Sequence, residues 1–132
     1  MTLDLADIRG NAADQERGRW FRLIHPVSGV ETGIRLRIAG PDSATQRRAQ
    51  LALADRLAEL ADDRGRVSAK DRETARQEAL AAVILDWEAT EDGQPVPFNT
   101  ASALRLIRAA RWVEAQLDFF AADRVAFWGA AE

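Results

Sequence analysis

Apolar residues recur along the chain in two rhythms. Between residues 33 and 39 every second residue is apolar, with Ile34, Leu36 and Ile38 on one side and Arg35 and Arg37 on the other. A period of two marks a half-buried strand. Residues 20–25 are dense in β-favouring side chains (Trp20, Phe21, Leu23, Ile24), and Pro26, Val27, Ser28 and Gly29 supply a turn. The two runs predict a β-hairpin. Two strands are marginal by themselves, so the Ile34/Leu36/Ile38 face must pack on helices, or the hairpin must borrow strands from another subunit.

The remaining pattern is helical. Gly40, Pro41, Asp42 and Ser43 end the sheet; Ser43 with Gln46, or Asp42 instead, can cap a helix. Ala49, Leu53, Leu57 and Leu60 follow at helical spacing, and Arg64 and Gly65 close that helix. A second helix starts at Ser68 with Asp71 in its first turn. Its stripe reads Leu80, Val83, Ile84 and Trp87, while residues 70–78 are polar and face water. Residues 89–98 form a break, because Asp92, Gly93, Pro95 and Pro97 cannot continue a helix. Asn99 or Thr100 then caps a third helical region, apolar on nearly two faces and expected to bend near residues 109–111. Its stripes are Leu106, Ala110, Val113, Leu117 and Phe120, and Trp112, Gln116 and Phe119. The expected fold is α+β, mainly α: an N-terminal β-hairpin followed by a bundle of three to four helices. Residues 1–18 read as a flexible, solvated arm whose Leu3, Leu5 and Ile8 alternate loosely, residues 19–129 as one domain, and residues 130–132 as a tail.

The chain has 132 residues, 47% hydrophobic and 30% charged, a mixture that supports one globular core. Eighteen basic residues against twenty-one acidic ones give a formal charge of -3. That leaves no cationic field of the kind nucleic acid requires, so no nucleic-acid partner is expected. No stretch approaches the roughly 18 apolar residues of a membrane helix, and the first ten residues do not read as a signal peptide. Neither a membrane partner nor a location other than the cytoplasm is expected. Without cysteine there is no disulfide, thiolate nucleophile or Cys-ligated zinc.

Reactive chemistry is sparse. His25 is the sole histidine and sits beside a turn, so no His pair can build a metal site. Ser28, Ser43, Ser68 and Ser102 lack a nucleophile-elbow context. Asp62 and Asp63 read as a solvated cluster with Arg64 and Arg66; Asp86, Glu88, Glu91 and Asp92 fit no calcium-loop spacing. Arg105, Arg108 and Arg111 share a helix face, either solvent-facing or turned to an acidic partner. No catalytic, cofactor-binding or metal-binding residue is assigned, and an enzyme is the least expected class. Tryptophan is the unusual feature, with four and no tyrosine. Trp87 is assigned to the core and Trp128 to a partner surface.

One stretch carries a family likeness. Ile84, Leu85, Asp86, Trp87 and Glu88 are followed by Asp92, Gly93, Gln94, Pro95, Val96, Pro97, Phe98 and Asn99, and then by a helical region containing Trp112, Phe119 and Phe120. This resembles the tail assembly chaperones of long-tailed bacteriophages and prophage elements. There a helix ending in Trp precedes a loop of the type Asp-Gly-x-Pro-Val-Pro-Phe-Ser. Trp87, Asp92, Gly93, Pro95, Val96, Pro97 and Phe98 match that pattern, and Asn99 stands where Ser is common. The hairpin around residues 25–29 and the turn at residues 40–43 resemble the family's N-terminal part, so the likeness spans residues 20–127. The loop also has a structural logic of its own: the prolines fix its exit and return, Gly93 turns it and Phe98 staples the next helix.

The resemblance implies a protein that binds the tape measure protein and keeps it soluble while tail tube protein polymerises around it. In some members of that family a frameshifted C-terminal extension contacts tail tube protein, so the resemblance allows that second partner; the hairpin edge allows copies of the chain to associate by strand addition, and no cofactor is expected. The expected protein-binding residues are Trp112, Phe119, Phe120, Phe127 and Trp128. The alternative is a small connector or tail-completion protein retained in the virion, whose permanent contacts would be larger and drier.

Overall fold

The structure, a computed structural model, describes residues 2–129; the expected 130–132 tail lies outside them. Small polar side chains set the starts of three of the helices. Ser43 accepts from Gln46 N and opens α2 (Ala44–Leu60), and Ser68 accepts from Asp71 N and opens α3 (Ala69–Ala82). Asn99 opens α4 (Thr100–Ala109). The expected bend falls at Ala110, whose extended backbone separates α4 from α5 (Arg111–Ala122); a 3₁₀ turn, Arg124–Phe127, follows.

The hairpin is present as β1 (Arg19–Ile24) and β2 (Glu31–Ile38). It does not wait for another subunit. The chain supplies a third antiparallel strand, β3 (Ile84–Glu88), beside β2, giving the order β1-β2-β3. This corrects the reading of Val83, Ile84 and Trp87 as a continued helical stripe: the helix stops at Ala82. Leu23, Leu36, Ile38, Ile84 and Trp87 line the inner face of the sheet and join Leu80, Ala103, Ile107, Val113 and Leu117 in one core. Burying each of the large aliphatic side chains contributes roughly 1.5–3 kcal/mol. The outer face carries Trp20, Arg22, Arg35, Arg37, Asp86 and Glu88. There Arg35 lies 4.8 Å over the Trp20 ring and makes a fork to both Glu88 oxygens, at 3.0 and 2.7 Å.

Helix α2 leans on α3, α3 on α4, and α4 on α5. Ala49 and Ala75 are buried where α2 meets α3, and small side chains let two helices approach closely. Beyond them the Leu53, Leu57 and Leu60 stripe stays half-covered, because no third layer reaches it.

The largest departure is at the N-terminus. Where the sequence predicts a flexible arm over residues 1–18, the structure has a helix, α1 (Leu5–Arg17), capped reciprocally by Asp4 and Asp7. Its docking is polar. The fully buried Gln15 accepts from Asp42 N at 2.7 Å through its side chain and from Gly40 N at 2.9 Å through its carbonyl. Asn11 donates to Phe127 O at 2.9 Å, and Glu16 accepts from Thr45 N and from the Thr45 hydroxyl. Leu3, Leu5 and Ile8 are exposed. Gly18, with φ of 80°, turns the chain into β1 so close to Ile38 O that a side chain would clash.

Candidate functional site

The family-motif residues form a joint between β3 and α4. Asp92 and Gly93 both have positive φ, 52° and 77°, and connect two short strands, β4 (Thr90–Glu91) and β5 (Gln94–Pro95). An Asp-Gly pair is the favoured two-residue connection for such a twist. Val96 N donates to Ala89 O at 2.9 Å, closing the hairpin. Trp87 is buried, its indole N–H donates to Val96 O at 2.8 Å, and its ring meets Phe98 edge-on at 5.6 Å.

Pro97 O accepts from Ser102 Oγ at 2.9 Å, and Asn99 and Ser102 cap one another's backbone N–H groups at 2.8 and 3.0 Å. Two orphan donors at the start of α4 are thereby satisfied. Arg105 ties α4 back to the hairpin through Glu91 at 2.7 Å. Every motif residue serves this joint, whose effect is to fix the direction in which α4 and then α5 leave the sheet.

The five expected protein-binding side chains separate. Phe119 is 75% exposed and Trp128 44% exposed. Trp112 and Phe120 are partly covered against the core. Phe127 is 0% exposed, which corrects its assignment to the surface. The 3₁₀ turn folds its ring back to 5.2 Å from Phe120, which in turn lies 4.9 Å from Phe21. Asn11 of α1 closes over its carbonyl. Val125, 83% exposed, is a further outward apolar residue that the sequence reading passed over. A residue one position from a buried ring in so tight a turn points the other way, but the turn itself has no periodicity to announce it.

Other candidates are structural. His25 Nδ1 accepts from Val27 N and Ser28 N, each at 3.2 Å, and so holds its own turn. Asp62 accepts from Arg64 N and Arg66 N between α2 and α3. The three arginines of α4 and α5 part company: Arg105 goes to Glu91, Arg108 donates to Gln77 at 3.0 Å, and Arg111 lines a cleft between α3 and α5.

That cleft, about 490 Å³ in volume, is lined by Ala69, Glu73, Arg76 and Leu80 from α3 and by Arg111, Glu114, Ala115 and Asp118 from α5. Among the described residues none of its five charged side chains makes an ion pair.

Three carboxylates are stabilised by local partners. Hydrogen bonding by Thr45 holds the Glu16 carboxyl below its ordinary pKa, and Arg124 does the same for Asp42. Arg35 lowers that of Glu88 in the same way. Among the described residues no group of three or more His, Asp or Glu side chains is placed to hold a metal ion, and no helix is long and apolar enough to cross a membrane. Comparisons of the chain with models of protein families, with curated proteins and with solved structures give no significant match to any of them.

Proposed function

We propose that this chain is a tail assembly chaperone of a long-tailed bacteriophage or prophage element, which holds the tape measure protein in solution until tube protein surrounds it. The observation carrying this reading is the loop through which the chain resembles that family. Trp87, Asp92, Gly93, Pro95, Val96, Pro97, Phe98 and Asn99 all stand in one joint: Trp87, Val96, Pro97, Phe98 and Asn99 hold it by packing or hydrogen bonds, Asp92 and Gly93 make its turn, and Pro95 lies in its short strand pair. A joint of that kind holds the orientation of the helices beyond it.

The exposed rings support the reading. Phe119 and Trp128 are left outside the core, and holding a long helical client calls for apolar contacts that are individually weak and repeated over many copies. The reading involves no catalytic step.

Co-expression with the large, mainly helical product of the adjacent gene tests it. The expected result is that the large protein stays in the soluble fraction only when this chain is present, and that this chain is absent from finished particles. A large protein that is equally soluble, or equally insoluble, without it overturns the reading. Recovery of this chain from purified particles assigns it to the connector class instead.

A further inference from the structure

Helix α1 and the 3₁₀ turn at Arg124–Phe127 come from opposite ends of the chain and lie against each other. Among the described residues the hydrophobic core cluster takes no side chain from either. The Phe127 ring is fully buried, yet it reaches that cluster through Phe120, which packs on it. The large apolar side chains of α1, Leu5 and Ile8, are already exposed, so the helix gives up little apolar burial of its own when it undocks.

Hydrogen bonds join the two elements instead. Asn11 donates to Phe127 O at 2.9 Å and accepts from Gln15 Nε2 at 2.7 Å. Gln15 also donates to Asp42 at 3.3 Å, and Asp42 accepts from Arg124, the first residue of the turn, at 2.9 and 3.0 Å. Asp14 holds the buried Arg19 at 2.5 Å, and the same Arg19 nitrogen donates to Gly129 O at 2.8 Å. Among the described residues, these are the side-chain bonds that tie residues 124–129 to the rest of the chain. Each leads to α1, either directly or through a single residue, Asp42 or Arg19. On its other flank α1 is fastened to α2 by Glu16, which accepts from Thr45 N and the Thr45 hydroxyl.

We propose that α1 and the 3₁₀ turn form one latch, which opens as a unit while the sheet and α2–α5 stay folded, and which uncovers the rings of Phe120 and Phe127 when it opens. Elements with few buried apolar contacts open below the global transition. A helix of 13 residues is marginal by itself, so α1 unwinds once undocked and its bonds to Phe127 O and Asp42 are lost with it. The turn then keeps only its own short backbone bonds and the contact of Phe127 with Phe120. The hinges are Gly18, where the chain swings into β1, and Asp123, where α5 has ended. The latch goes beyond the chaperone reading and does not depend on it: it governs when the two rings are covered, whatever they meet.

Native-state hydrogen exchange on the whole protein, followed amide by amide in low urea, tests the latch. The amides of residues 11–17 and that of Ala126, which donates to Asp123 O at 3.1 Å, are expected to share one level of protection. That level should lie at least about tenfold below that of β2 and α3, and should depend little on urea, because little surface is exposed in the opening. Coupling is read by changing one end and watching the other. Glu16 bonds Thr45, pairs with Arg48 and makes no bond to the turn. Glu16→Ala should nevertheless speed exchange at Ala126 about tenfold. In the turn, Arg124→Ala removes the grip on Asp42 and Phe127→Leu loosens the ring; each should speed exchange of residues 11–17 about fivefold.

The control Arg105→Ala breaks an exposed ion pair of 2.7 Å on the motif joint and should leave both ends within about twofold. Should Phe127→Leu fail to fold, Arg124→Ala decides alone, since Arg124 is exposed. Residues 11–17 that exchange only through global unfolding, with the urea dependence of β2 and α3, overturn the latch. So does an Ala126 amide that is unprotected in the parent. A change at one end that leaves the other as unmoved as the control does would make them two independent elements and overturn it as well.

Discussion

Gly40→Ala should destabilise the protein by more than its chemistry suggests. Gly40 follows β2 and has no unusual φ, so backbone strain is not the issue. A methyl there would lie 2.5 Å from Gln15 Oε1, 2.7 Å from its Cβ and 2.8 Å from its Cγ. The Gln15 amide could swing aside, but its Cβ is fixed to the backbone of α1, whose carbonyl accepts from Gly40 N at 2.9 Å. Either α1 moves or the side chain leaves. In both cases the hydrogen bonds to Asp42 N at 2.7 Å and to Asn11 Oδ1 at 2.7 Å are lost inside a closed environment.

At about 1 kcal/mol for each net hydrogen bond and about 1–3 kcal/mol for a buried group left unpaired, the cost is roughly 2–4 kcal/mol. For a domain of this size that is on the order of 10 °C in Tm. Urea and thermal unfolding measure it, and hydrogen exchange of the α1 amides locates it. The same substitution in a Gln15→Ala background should cost less, because the Oε1 and Cγ obstructions and the side-chain hydrogen bonds are already gone and only the Cβ contact remains. A Gly40→Ala protein within about 0.5 kcal/mol of the parent, or an undiminished cost beside Gln15→Ala, would refute the polar docking of α1. Gly10→Ala, in the middle of α1 with nothing near its added carbon, should instead stabilise by up to about 1 kcal/mol.

The two phenylalanines at the end of the chain should differ sharply. Phe127→Ala, at a fully buried ring, should cost about 3–5 kcal/mol in urea unfolding, whereas exposed Phe119→Ala should stay within about 0.5 kcal/mol. Ser68→Ala removes the α3 cap and should cost about 1 kcal/mol, read from the helical signal on heating. Glu16 and Asp42 both have lowered folded-state pKa values, from the Thr45 hydrogen bond and from Arg124 respectively. Their contribution to the α1–α2 joint is therefore complete above the ordinary carboxylate range, about pH 4–5, and is lost as pH falls through the lower folded values. The unfolding midpoint of the parent should drop across that acid range, and Glu16→Gln/Asp42→Asn should flatten the drop.

Much of the architecture lay open in the sequence because local chemistry and the final fold agree. The alternation of Ile34, Leu36 and Ile38 is a buried strand face, and Ser43, Ser68 and Asn99 cap the helices they precede. The third strand was hidden by a bulge. The register shifts between Arg37 and Ile38, so that Ile84 opposes Ile38 while Trp87 opposes Leu36. Ile84 and Trp87 therefore both face inward at a spacing of three, which a regular strand does not permit and a helix does.

Helix α1 was hidden for a different reason. Its buried residue is Gln15, held by amide hydrogen bonds, and its apolar residues point outward, so no hydrophobic rhythm betrays it. Phe127 looked available because position in the chain says nothing of a turn that folds a ring back onto Phe120. In the candidate site, the motif loop was legible residue by residue. The α3–α5 cleft was not, since it joins two helices remote in sequence.

The middle strand of the sheet, β2, is paired on one side with β1, which precedes it, and on the other with β3, which follows the entire α2–α3 pair. On a ribosome β1 and β2 emerge before β3, and β2 then carries a row of bare backbone donors and acceptors until two more helices have been synthesised. Nascent chains on one message share that same open row and, a little later, the same β3. Exchange of β3 between neighbouring chains is thus the misassembly this topology invites. The close packing of α2 on α3 counters it by returning each β3 to its own sheet.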